Sequence, residues 1–491
     1  MAAGKIRFLR RGVVQEHHLA DPLLTVLDYL RLEQRHKGTK EGCNEGDCGA
    51  CTVAIGKLRH GQVVYEPANA CIMLMAHIHG CELVTVDDLA AGGELHPVQK
   101  AMVAQHASQC GYCTPGFVMS LFVLYHGREQ PERQAVVDQV AGNLCRCTGY
   151  KPIIAAAQEA CSGDRADLWS EAGAEIAAEL SKLNDGEDVF CGAAEHFAAI
   201  PAKAETLLDL AARHPDATLV AGATDVGLWI NKQLRPLAKL VFTGRVSELH
   251  AISDRVATVS LGSAVTYAEA ESALASIAPD IGEVVRRIGS KQVRSTGTIG
   301  GNIANGSPIG DMPPMLIALG ARIVMRKQGE QRDLLLEDYF VDYGKQDRKP
   351  GEVLWRIDIP KLKTNERFFA HKLTKRFDQD ISAVLAAFRF VMSGRVIASA
   401  TIAFGGMAAT PRRARQTEEA LKGLKLDAPE LWEEVADNLV KDFIPISDMR
   451  ASAAYRMDCA RALLLKALHE LVGERPAALR VLAPAGKEAW T

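Results

Sequence analysis

The sequence predicts a multidomain α+β protein, and three observations lead to this fold class. First, the chain has 491 residues, which is long enough for several hydrophobic cores. Second, most of its 12 cysteines lie in two groups before residue 150. Third, segments with the period-2 pattern of strands alternate with segments of helical period along the chain. We therefore expect a series of small mixed domains, with the cysteine chemistry in the first of them.

The bulk composition excludes several classes of protein. The chain has 57 basic and 60 acidic side chains, so no nucleic-acid partner is indicated. It has no run of 18 apolar residues and no apolar export signal near its start, so we expect a cytoplasmic protein with no membrane partner. In a long chain of this kind, cysteines point to metal or redox use rather than to disulfides.

The first cysteine group lies in EGCNEGDCGACTVAIG, residues 41–56. Cys43, Cys48 and Cys51 follow the spacing C-x4-C-x2-C, which is typical of the plant-type ferredoxin loop that holds a [2Fe-2S] cluster with a fourth cysteine further on. Spacing alone leaves Cys71 and Cys81 as candidates for the fourth ligand. Zinc is the alternative, although zinc sites usually pair C-x2-C knuckles.

Glycines and short apolar segments surround this loop. A loop around an anionic cluster must point backbone N–H groups at the sulfurs, and Gly42, Gly46 and Gly49 are the candidates for the unusual conformations required. KIRFLRRGVV and CTVAIGKLRHGQVVYEP predict strand pairs with turns at Arg11–Gly12 and His60–Gly61, and PLLTVLDYLRLEQ predicts a helix.

The second cysteine group combines a C-x2-C and a C-x-C spacing. Cys110 and Cys113 precede a predicted helix with Thr114 as its N-cap, Pro115 in its first turn and Gly127 after its end. A second helix is predicted from about residue 131 to 141, and Cys145 and Cys147 follow it in a loop. Two antiparallel helices would bring these four cysteines together, as ligands of a second iron-sulfur cluster or of zinc.

The remainder of the chain contains a predicted linker and two glycine-rich segments. Residues 162–187 are charged and alanine-rich without an aliphatic stripe wide enough for a core, which predicts a linker, partly helical. ATLVAGATDVGLWIN predicts a strand, a small-residue turn and a helix, an arrangement that presents N–H groups to a phosphate. STGTIGGNIANGSPIGDMPPMLIALGA predicts backbone that runs close to a ligand. No G-x-G-x-x-G occurs, so a Rossmann dinucleotide site is not indicated.

These segments together resemble the molybdenum hydroxylases, the family of xanthine dehydrogenase and aldehyde oxidase. The iron-sulfur part of that family is similar to GCNEGDCGACTV, PANAC, QCGYCTPGF and NLCRCTGYKPI. LVAGATDVG and GTIGGNIANGSPIGD are similar to its flavin-binding motifs, and ATPRRARQTEEAL is similar to the start of its flavoprotein C-terminal domain. The order of these parts, together with KRFDQDISAV at residues 375–384, is similar to the small subunit of a bacterial member.

The resemblance implies the following domain organisation. We expect a ferredoxin-like β-grasp [2Fe-2S] domain over 1–84, a helical-bundle [2Fe-2S] domain over 85–161, the linker over 162–187, a two-part α+β FAD-binding domain of the vanillyl-alcohol-oxidase/CO-dehydrogenase-flavoprotein type over 188–364, and a small α+β C-terminal domain over 365–480.

The resemblance also implies the ligand sets, residue by residue. Because the PANAC segment matches the family, Cys71 rather than Cys81 becomes the fourth ligand of the first cluster. The implied metal ligands are Cys43, Cys48, Cys51 and Cys71 for one cluster and Cys110, Cys113, Cys145 and Cys147 for the other. The implied FAD contacts are Leu219, Val220, Ala221, Gly222, Ala223, Thr224, Asp225, Val226, Thr298, Gly301, Asn302, Asn305, Ser307, Asp311 and Lys372. Cys81, Cys161, Cys191 and Cys459 have no partner spacing and are expected only to pack.

By resemblance, the function is electron transfer during hypoxanthine and xanthine oxidation to urate. Two clusters and a flavin occupy the whole chain, so the molybdenum-pterin centre and the hydroxylation belong to a larger partner subunit, in a heterodimer or a pair of heterodimers. Electrons would pass through the Cys110 cluster, then the Cys43 cluster, to FAD and on to NAD. A flavin suits the final step because it converts single-electron flow into hydride transfer. Asp378 and Asp380 in KRFDQDISAV are weaker candidates for a place near the nicotinamide.

Three alternatives remain open at this point. The same role in a nicotinate, aldehyde or aromatic-heterocycle hydroxylase keeps the cofactors and changes the substrate. A self-standing NADH-linked iron-sulfur flavoprotein reductase needs no molybdenum partner, and a zinc-stabilised scaffold would be colourless. If the predicted domains are independent, Cys48→Ser should remove one cluster and leave FAD bound.

Overall fold

The computed structural model describes residues 4–127, 130–163 and 165–473. The chain forms two compact units, of which the first comprises residues up to Ser247 together with Gly289–Gly297, and the second Glu248–Ile288 with the chain from Thr298 onward. The expected FAD-binding part, 188–364, is therefore divided between both units. Of the expected C-terminal domain, residues 474–480 lie outside the described residues.

The first unit begins with a five-stranded sheet around the first cysteine loop. Strand β1 is parallel to β5, every other neighbouring pair is antiparallel, and the strand order is β2-β1-β5-β3-β4. Both predicted hairpin turns are confirmed, and the predicted helix is one α turn followed by a π-helical turn over Tyr29–Glu33. The elements are β1 (Ile6–Arg10), β2 (Val13–His17), α1 (Val26–Asp28), β3 (Thr52–Arg59), β4 (Gln62–Asn69) and β5 (Glu82–Val84).

A helical segment follows and carries the second cysteine group. The helix after Cys113 begins one residue earlier than predicted, since Cys113 is its N-cap and Thr114 its first residue. Pro115 lies in its first turn, where a missing N–H costs no helical hydrogen bond. The helices are α2 (Val86–Leu89), α3 (Pro97–Ala104), α4 (Thr114–Tyr125), α5 (Arg133–Val140), α6 (Lys151–Ala160), α7 (Leu168–Glu171) and α8 (Gly173–Leu183).

The structure corrects the prediction of a coreless linker over 162–187. Helices α7 and α8 occupy most of this segment, and they bury Trp169, Ile176, Leu180 and Leu183 in the core that α3, α4 and α6 form. The three aliphatic side chains follow helical spacing, so one narrow stripe is enough when it packs against an existing core. The segment is therefore part of the first unit's interior.

A buried carboxyl group beneath this segment makes stability depend on pH. Glu82 accepts hydrogen bonds from the Tyr65 hydroxyl at 2.8 Å and from the Trp169 indole. Burial outweighs these hydrogen bonds and raises the pKa of Glu82 from 4.5 to about 7. A carboxyl group that holds its proton more tightly when folded contributes stability that is present below pH about 4.5 and lost as the pH rises to about 7.

We therefore expect Glu82→Gln to stabilise the protein at pH 8 and not at pH 4. The pKa difference corresponds to about 3 kcal/mol in the free energy of unfolding, which the neutral amide should largely recover at pH 8. Melting temperatures of wild type and variant across this pH range measure the effect. Glu205→Gln, on an exposed helix surface, is the matched control. Parallel pH profiles for Glu82→Gln and wild type would contradict the prediction.

The first unit continues into a four-stranded sheet that shares its core with the ferredoxin-like sheet. Ala198, Val220 and Leu240 pack in one hydrophobic cluster with Ile6 and Leu83. The expectation that these two parts are independent is therefore wrong. The sheet has the order β6-β7-β9-β8, and its elements are β6 (Val189–Ala193), β7 (His196–Ile200), α9 (Ala204–Arg213), β8 (Thr218–Val220), α10 (Val226–Asn231) and β9 (Lys239–Phe242).

The second unit begins with a five-stranded antiparallel sheet of order β10-β11-β16-β12-β13. Its first strands and helices are β10 (Ile252–Asp254), β11 (Thr258–Gly262), α11 (Tyr267–Ala275) and α12 (Pro279–Arg286). The chain then returns to the first unit for α13 (Lys291–Thr296). The next elements, again in the second unit, are α14 (Ile299–Asn305), α15 (Met312–Leu319), β12 (Arg322–Lys327), β13 (Glu330–Leu335), α16 (Leu336–Tyr339), β14 (Phe340–Asp342), β15 (Lys345–Gln346) and β16 (Val353–Pro360).

The described C-terminal part is a four-stranded antiparallel sheet with helices packed against it. Phe388, Phe390 and Phe404 from the sheet form a core with Leu464 and Leu468 from the last helix. This agrees with the expected small α+β domain. Its elements are β17 (Glu366–Leu373), β18 (Val384–Ser393), β19 (Val396–Gly405), β20 (Arg412–Arg413), α17 (Arg415–Leu421), α18 (Trp432–Asp437), α19 (Leu439–Asp442) and α20 (Ala453–Leu471).

Across the described residues, none of the helices combines the length and the apolar character that crossing a bilayer requires.

Candidate functional site

The first predicted set of four cysteines comes together at one end of the ferredoxin-like sheet. The thiols of Cys43 and Cys48 are hydrogen-bonding neighbours, as are those of Cys51 and Cys71, and the Cys71 sulfur also lies within electrostatic range of Cys43. Cys71 and Cys51 are buried. Cys81 is not near this group, because it lies beside Lys57 and the carbonyl of His77. We refer to Cys43, Cys48, Cys51 and Cys71 as the first thiol group.

Backbone N–H groups point at these sulfurs, as the sequence predicts. The amides of Asp47 and Cys48 each lie 3.3 Å from the Cys43 sulfur. Hydrogen bonds from the Cys48 thiol and from these amides outweigh burial and lower the pKa of Cys43 to about 5. Gly46 and Gly49 have φ values of +78° and +68°, which side chains with a Cβ rarely adopt. The loop is therefore built to stabilise negative charge on sulfur.

The second predicted set also assembles, at the start of α4 and in the loop before α6. Cys113 lies beside Cys145, and Cys110 lies beside Cys147. Burial, with the neighbouring Cys145 thiol, raises the pKa of Cys113 to about 12. Cys110 and Cys147 are exposed, in contrast to the buried half of the first thiol group. We refer to these four cysteines as the second thiol group.

The arrangement of the sulfurs separates a two-iron cluster from a single zinc ion. In each group the thiols form two pairs, and no three cysteine sulfurs in the described part of the chain lie within 4.8 Å of one another. Four thiolates on one tetrahedral zinc, each about 2.3 Å from the metal, would lie within about 4 Å of one another. Two pairs of thiolates fit a [2Fe-2S] cluster, in which each iron takes two cysteines.

The predicted FAD residues Leu219 through Val226 lie in the first unit, at the end of β8 and the start of α10. Ala223 has a φ of +57°, and Asp225 is the N-cap residue of α10. The Nε2–H of His77 donates to the carbonyl of Ala221 at 2.8 Å, which ties this turn to the ferredoxin-like part. Leu219, Val220, Gly222, Thr224 and Val226 complete the predicted segment.

Gly222 lies against the backbone of α13, and we expect Gly222→Ala to lower FAD occupancy. A Cβ at this position would overlap the carbonyl of Thr296, so the turn would have to move. Overpacking of this kind costs about 1–3 kcal/mol. Flavin absorbance per chain and the melting temperature measure the result. Gly244→Ala is the control, because a Cβ there meets no atom within 4 Å and φ is unstrained. Unchanged flavin content in Gly222→Ala would contradict the prediction.

The other predicted FAD residues lie in the second unit, around α14. The hydroxyl of Thr298 caps this helix by accepting from the amide of Gly301 at 2.9 Å. The Oδ1 atom of Asn302 is buried and has no hydrogen-bond partner among the described residues. Such an atom costs free energy unless a ligand donates to it, so this position fits a bound group with a hydrogen-bond donor. Asn305 ends the helix and Ser307 follows in the next turn.

A buried charged cluster lies at the start of α15. The Lys372 ammonium is 2.6 Å from Asp311 and 2.9 Å from the Ser382 hydroxyl, which itself donates to Asp311 at 2.6 Å. The side chains of Lys372 and Asp311 are 9% and 8% exposed. Sequence reasoning missed Ser382, although it lies in the KRFDQDISAV segment. Its position on the chain is far from Asp311, so only the fold brings it there.

The two aspartates proposed near the nicotinamide have local partners. Asp378 forms an ion pair with Arg287, whose guanidinium also stacks on the ring of Phe377. Asp380 accepts from the amides of Lys375 and Arg376, each at 2.9 Å. These contacts explain the shape of the loop and leave the nicotinamide proposal untested.

A cluster of two histidines and an aspartate in the first unit consists of residue types that can bind a metal, but these side chains form hydrogen bonds with one another. The Nε2 atoms of His96 and His126 lie 2.7 and 2.9 Å from Asp167. The Nδ1 atom of His96 accepts from the amide of Val98, so its Nε2 carries the proton and donates to Asp167. A nitrogen that donates a proton cannot bind a metal, so the cluster anchors α7 to the helical segment.

Four protein-family models match consecutive parts of the chain. They are the 2Fe-2S iron-sulfur cluster binding domain over residues 12–76, the [2Fe-2S] binding domain over 85–158, the FAD binding domain in molybdopterin dehydrogenase over 194–362, and the CO dehydrogenase flavoprotein C-terminal domain over 369–471.

Similar proteins agree with these matches. The chain is 32% identical to xanthine dehydrogenase of Drosophila subobscura over 91% of its length and to xanthine dehydrogenase/oxidase of Rattus norvegicus over 88%. It spans only 38% and 36% of those two proteins. Among solved structures, a carbon monoxide dehydrogenase chain from Hydrogenophaga pseudoflava matches with a TM-score of 0.54 and 25% identity, over 57% of this chain and 98% of that one. A quinoline 2-oxidoreductase chain from Pseudomonas putida matches with a TM-score of 0.52, 25% identity and the same coverage of both chains.

The domains and their thiol groups define the class of protein as an iron-sulfur flavoprotein with two [2Fe-2S] domains and an FAD-binding domain. Within that class, the matches from residue 12 to residue 471 place the chain in the molybdenum hydroxylase family, as a chain that combines its iron-sulfur and FAD-binding domains.

Proposed function

We propose that this chain is the electron-transfer subunit of a xanthine dehydrogenase. A larger partner subunit with a molybdenum-pterin centre would oxidise hypoxanthine and xanthine to urate, and NAD would be the final acceptor. The curated relatives named xanthine dehydrogenase support the substrate. Bound clusters and FAD would supply single-electron transfer and hydride transfer respectively. We propose a cytoplasmic location for the assembly, as one heterodimer or two.

We propose the eight cysteines of the two thiol groups as cluster ligands, and the residues of the β8–α10 turn and of α14, with Asp311 and Lys372, as FAD contacts. The paired sulfurs, the N–H groups directed at Cys43 and the unpaired Oδ1 of Asn302 support this assignment. The proposed cofactors also account for strained backbone beside them. Asn44 in the first cysteine loop and Ala223 in the β8–α10 turn both have positive φ.

The single observation that carries the proposed order of transfer is the difference in exposure between the thiol groups. Cys110 and Cys147 are exposed, beside the exposed Tyr112, so the second thiol group can face a partner. Cys71 is buried, and its carbonyl accepts from Asn231 of α10 at 2.7 Å. Because α10 begins in the proposed FAD turn, the first thiol group is the one next to the flavin segment. Electrons would therefore enter at the second group and leave through the first.

A second candidate function keeps the cofactors and changes the substrate. The structural matches to carbon monoxide dehydrogenase and quinoline 2-oxidoreductase favour it, because chains of similar fold serve those substrates. We carry this candidate as a molybdenum hydroxylase for an aldehyde, nicotinate or another aromatic heterocycle. Its substrate pocket would lie on the partner subunit, so the partner decides between the two candidates.

The test is the composition and activity of the protein isolated with whatever copurifies. The proposal expects four irons and one FAD per chain, a large molybdenum-containing partner, and reduction of NAD by xanthine. Activity with an aldehyde or a heterocycle but not with xanthine would favour the second candidate. A chain that contains iron and FAD, lacks a molybdenum partner and turns over alone with NADH and an artificial acceptor would instead be a self-standing reductase. Zinc in place of iron would overturn all three.

A further inference from the structure

The two thiol groups meet at a junction made by three chain segments of the first unit. The amide of Leu144, the residue before Cys145, donates to the carbonyl of Cys48 at 3.0 Å. One hydrogen bond therefore connects a residue next to the second thiol group with a cysteine of the first. A change that displaced these segments from one another would therefore alter the separation of the two groups.

Glycines allow the segments to approach at backbone distance. A Cβ at Gly116, in the first turn of α4, would overlap the carbonyl of Gly49 in the first cysteine loop. A Cβ at Gly49 would in turn overlap the carbonyl of Gly142, just before the C-x-C pair of the second thiol group. The junction therefore has no room for a side chain between its segments, and close backbone packing fixes the positions of the three segments.

A glutamine from a distant part of the sequence closes this junction. Gln292 of α13 is fully buried, and its Nε2 group lies 3.0 Å from the Thr52 hydroxyl, 3.2 Å from Asn143 Oδ1 and 3.3 Å from the Ser120 hydroxyl. These three partners belong respectively to the strand after the first cysteine loop, the loop before Cys145 and helix α4. One amide group therefore contacts all three segments.

The site requires a hydrogen-bond donor. The Thr52 hydroxyl donates to the carbonyl of Gly49 and the Ser120 hydroxyl donates to Asn143 Oδ1, each at 2.6 Å. Their protons are committed, so both hydroxyls can only accept from Gln292, as Asn143 Oδ1 does. A carboxylate of the same shape would face three acceptors, whereas the amide has two N–H hydrogens to share among them.

Helix α13 reaches the proposed FAD turn at its other end. The carbonyl of Thr296 is the atom that a Cβ at Gly222 would overlap, so the end of α13 lies directly against that turn. This helix has only six residues, from Lys291 to Thr296. One end of this short helix lies in the junction between the two thiol groups, and the other end lies against the proposed FAD turn. The helix therefore links both thiol groups to that turn through a single rigid element.

We propose that Gln292 is a positioning residue that fixes the separation and orientation of the two iron-sulfur clusters, and through them the rate of electron transfer between them. The inference rests on the proposed function, since it takes both thiol groups as cluster sites. Gln292 touches neither group directly. It acts through Thr52, Asn143 and Ser120, which hold the segments that carry the cysteines.

The test compares Gln292→Met with Gln139→Met in the holoprotein. Methionine keeps the length of the side chain and removes its donors. Gln139 is a matched buried amide, because it belongs to α5 and donates to the carbonyl of Ser120 at 2.9 Å, a hydrogen bond within the helical segment. Iron and FAD content come first, followed by low-temperature EPR of the reduced protein, in which the magnetic interaction between two clusters reports their separation. Rapid-mixing kinetics then measure reoxidation of each cluster.

The proposal expects Gln292→Met to retain both clusters and FAD but to change the spin-spin splitting, and to slow transfer between clusters by about tenfold or more, because small displacements of reacting groups have large effects on rate. Gln139→Met should leave the splitting and the rate unchanged. An unchanged splitting and rate in Gln292→Met would overturn the inference while leaving the proposed function intact. Equal changes in both variants would also overturn it, since they would indicate general loosening. Absence of two cluster signals in the wild type would instead overturn the proposed function.

Discussion

Cys48→Ser is expected to halve the iron content of the protein and to abolish most electron transfer from the cluster of the second thiol group to the flavin. The Cys48 sulfur pairs with Cys43 and accepts from the amide of Cys43 at 3.3 Å, so its loss removes one proposed cluster ligand and a hydrogen-bond acceptor within the loop. Serine oxygen is a harder ligand than thiolate and suits iron-sulfur clusters poorly. Iron analysis and EPR of the reduced variant measure the loss, which should leave one [2Fe-2S] signal.

The same variant should also bind FAD more weakly, which differs from the expectation of independent domains. Asn231 and Lys232, at the end of α10, donate to the carbonyls of Cys71 and Cys43, each at 2.7 Å. If the loop loses its cluster, we expect it to move and to weaken these hydrogen bonds. One such bond contributes about 1 kcal/mol, so its loss should lower the FAD affinity about fivefold. Titration of the apoprotein with FAD measures this change.

Cys459→Ser is the control for both measurements, because Cys459 belongs to neither thiol group and lies on α20 in the second unit. It should keep all iron and the wild-type FAD affinity. Full iron content in Cys48→Ser would refute the assignment of Cys48 as a ligand. Wild-type FAD affinity together with iron loss would show that the shared core alone maintains the flavin turn.

Lys372→Met should lower both the free energy of unfolding and the FAD content. The Lys372–Asp311 pair is buried, and removing one partner of a buried ion pair typically costs about 3–5 kcal/mol because the other charge is left uncompensated. Ser382 still donates to Asp311 in this variant, which offsets part of the cost, so we expect about 3 kcal/mol. Denaturant unfolding and flavin absorbance measure the two effects.

The double variant Lys372→Met with Asp311→Asn separates stability from cofactor binding. It removes both charges and keeps an oxygen that accepts from Ser382, so most of the lost stability should return. FAD content should remain low, because the proposed contacts of both side chains with FAD are still missing. Recovery of FAD along with stability would show that this cluster has only a structural role.

Local spacing explains why the cysteine groups were predictable. Cys43, Cys48 and Cys51 lie within nine residues, and Cys145 and Cys147 share one loop, so short-range backbone geometry determines most of their arrangement. The hairpin turns at Arg11–Gly12 and His60–Gly61 were equally local, with positive φ at all four residues. Features of this kind depend only on residues that are close together in the sequence, so they can be predicted from a short segment.

Residues that depend on distant segments could not be predicted. Gln292 lies 240 positions from Thr52, and Ser382 lies 71 positions from Asp311. A glutamine in a short polar helix and a serine in a loop carry no signal of their own, because their importance comes from the acceptors that the fold places around them. The same reason explains the linker error, since Ile176, Leu180 and Leu183 form a stripe whose partner surface lies elsewhere in the sequence.

The core shared by the ferredoxin-like sheet and the β6–β9 sheet also has a consequence for dilution. Two separate chains must find each other, and their complex dissociates when their concentration falls below the dissociation constant. Here residues 162–187 join the parts covalently, which converts that encounter into an intramolecular one at a fixed effective concentration. The ratio of iron-sulfur to flavin parts is therefore one to one at any protein concentration.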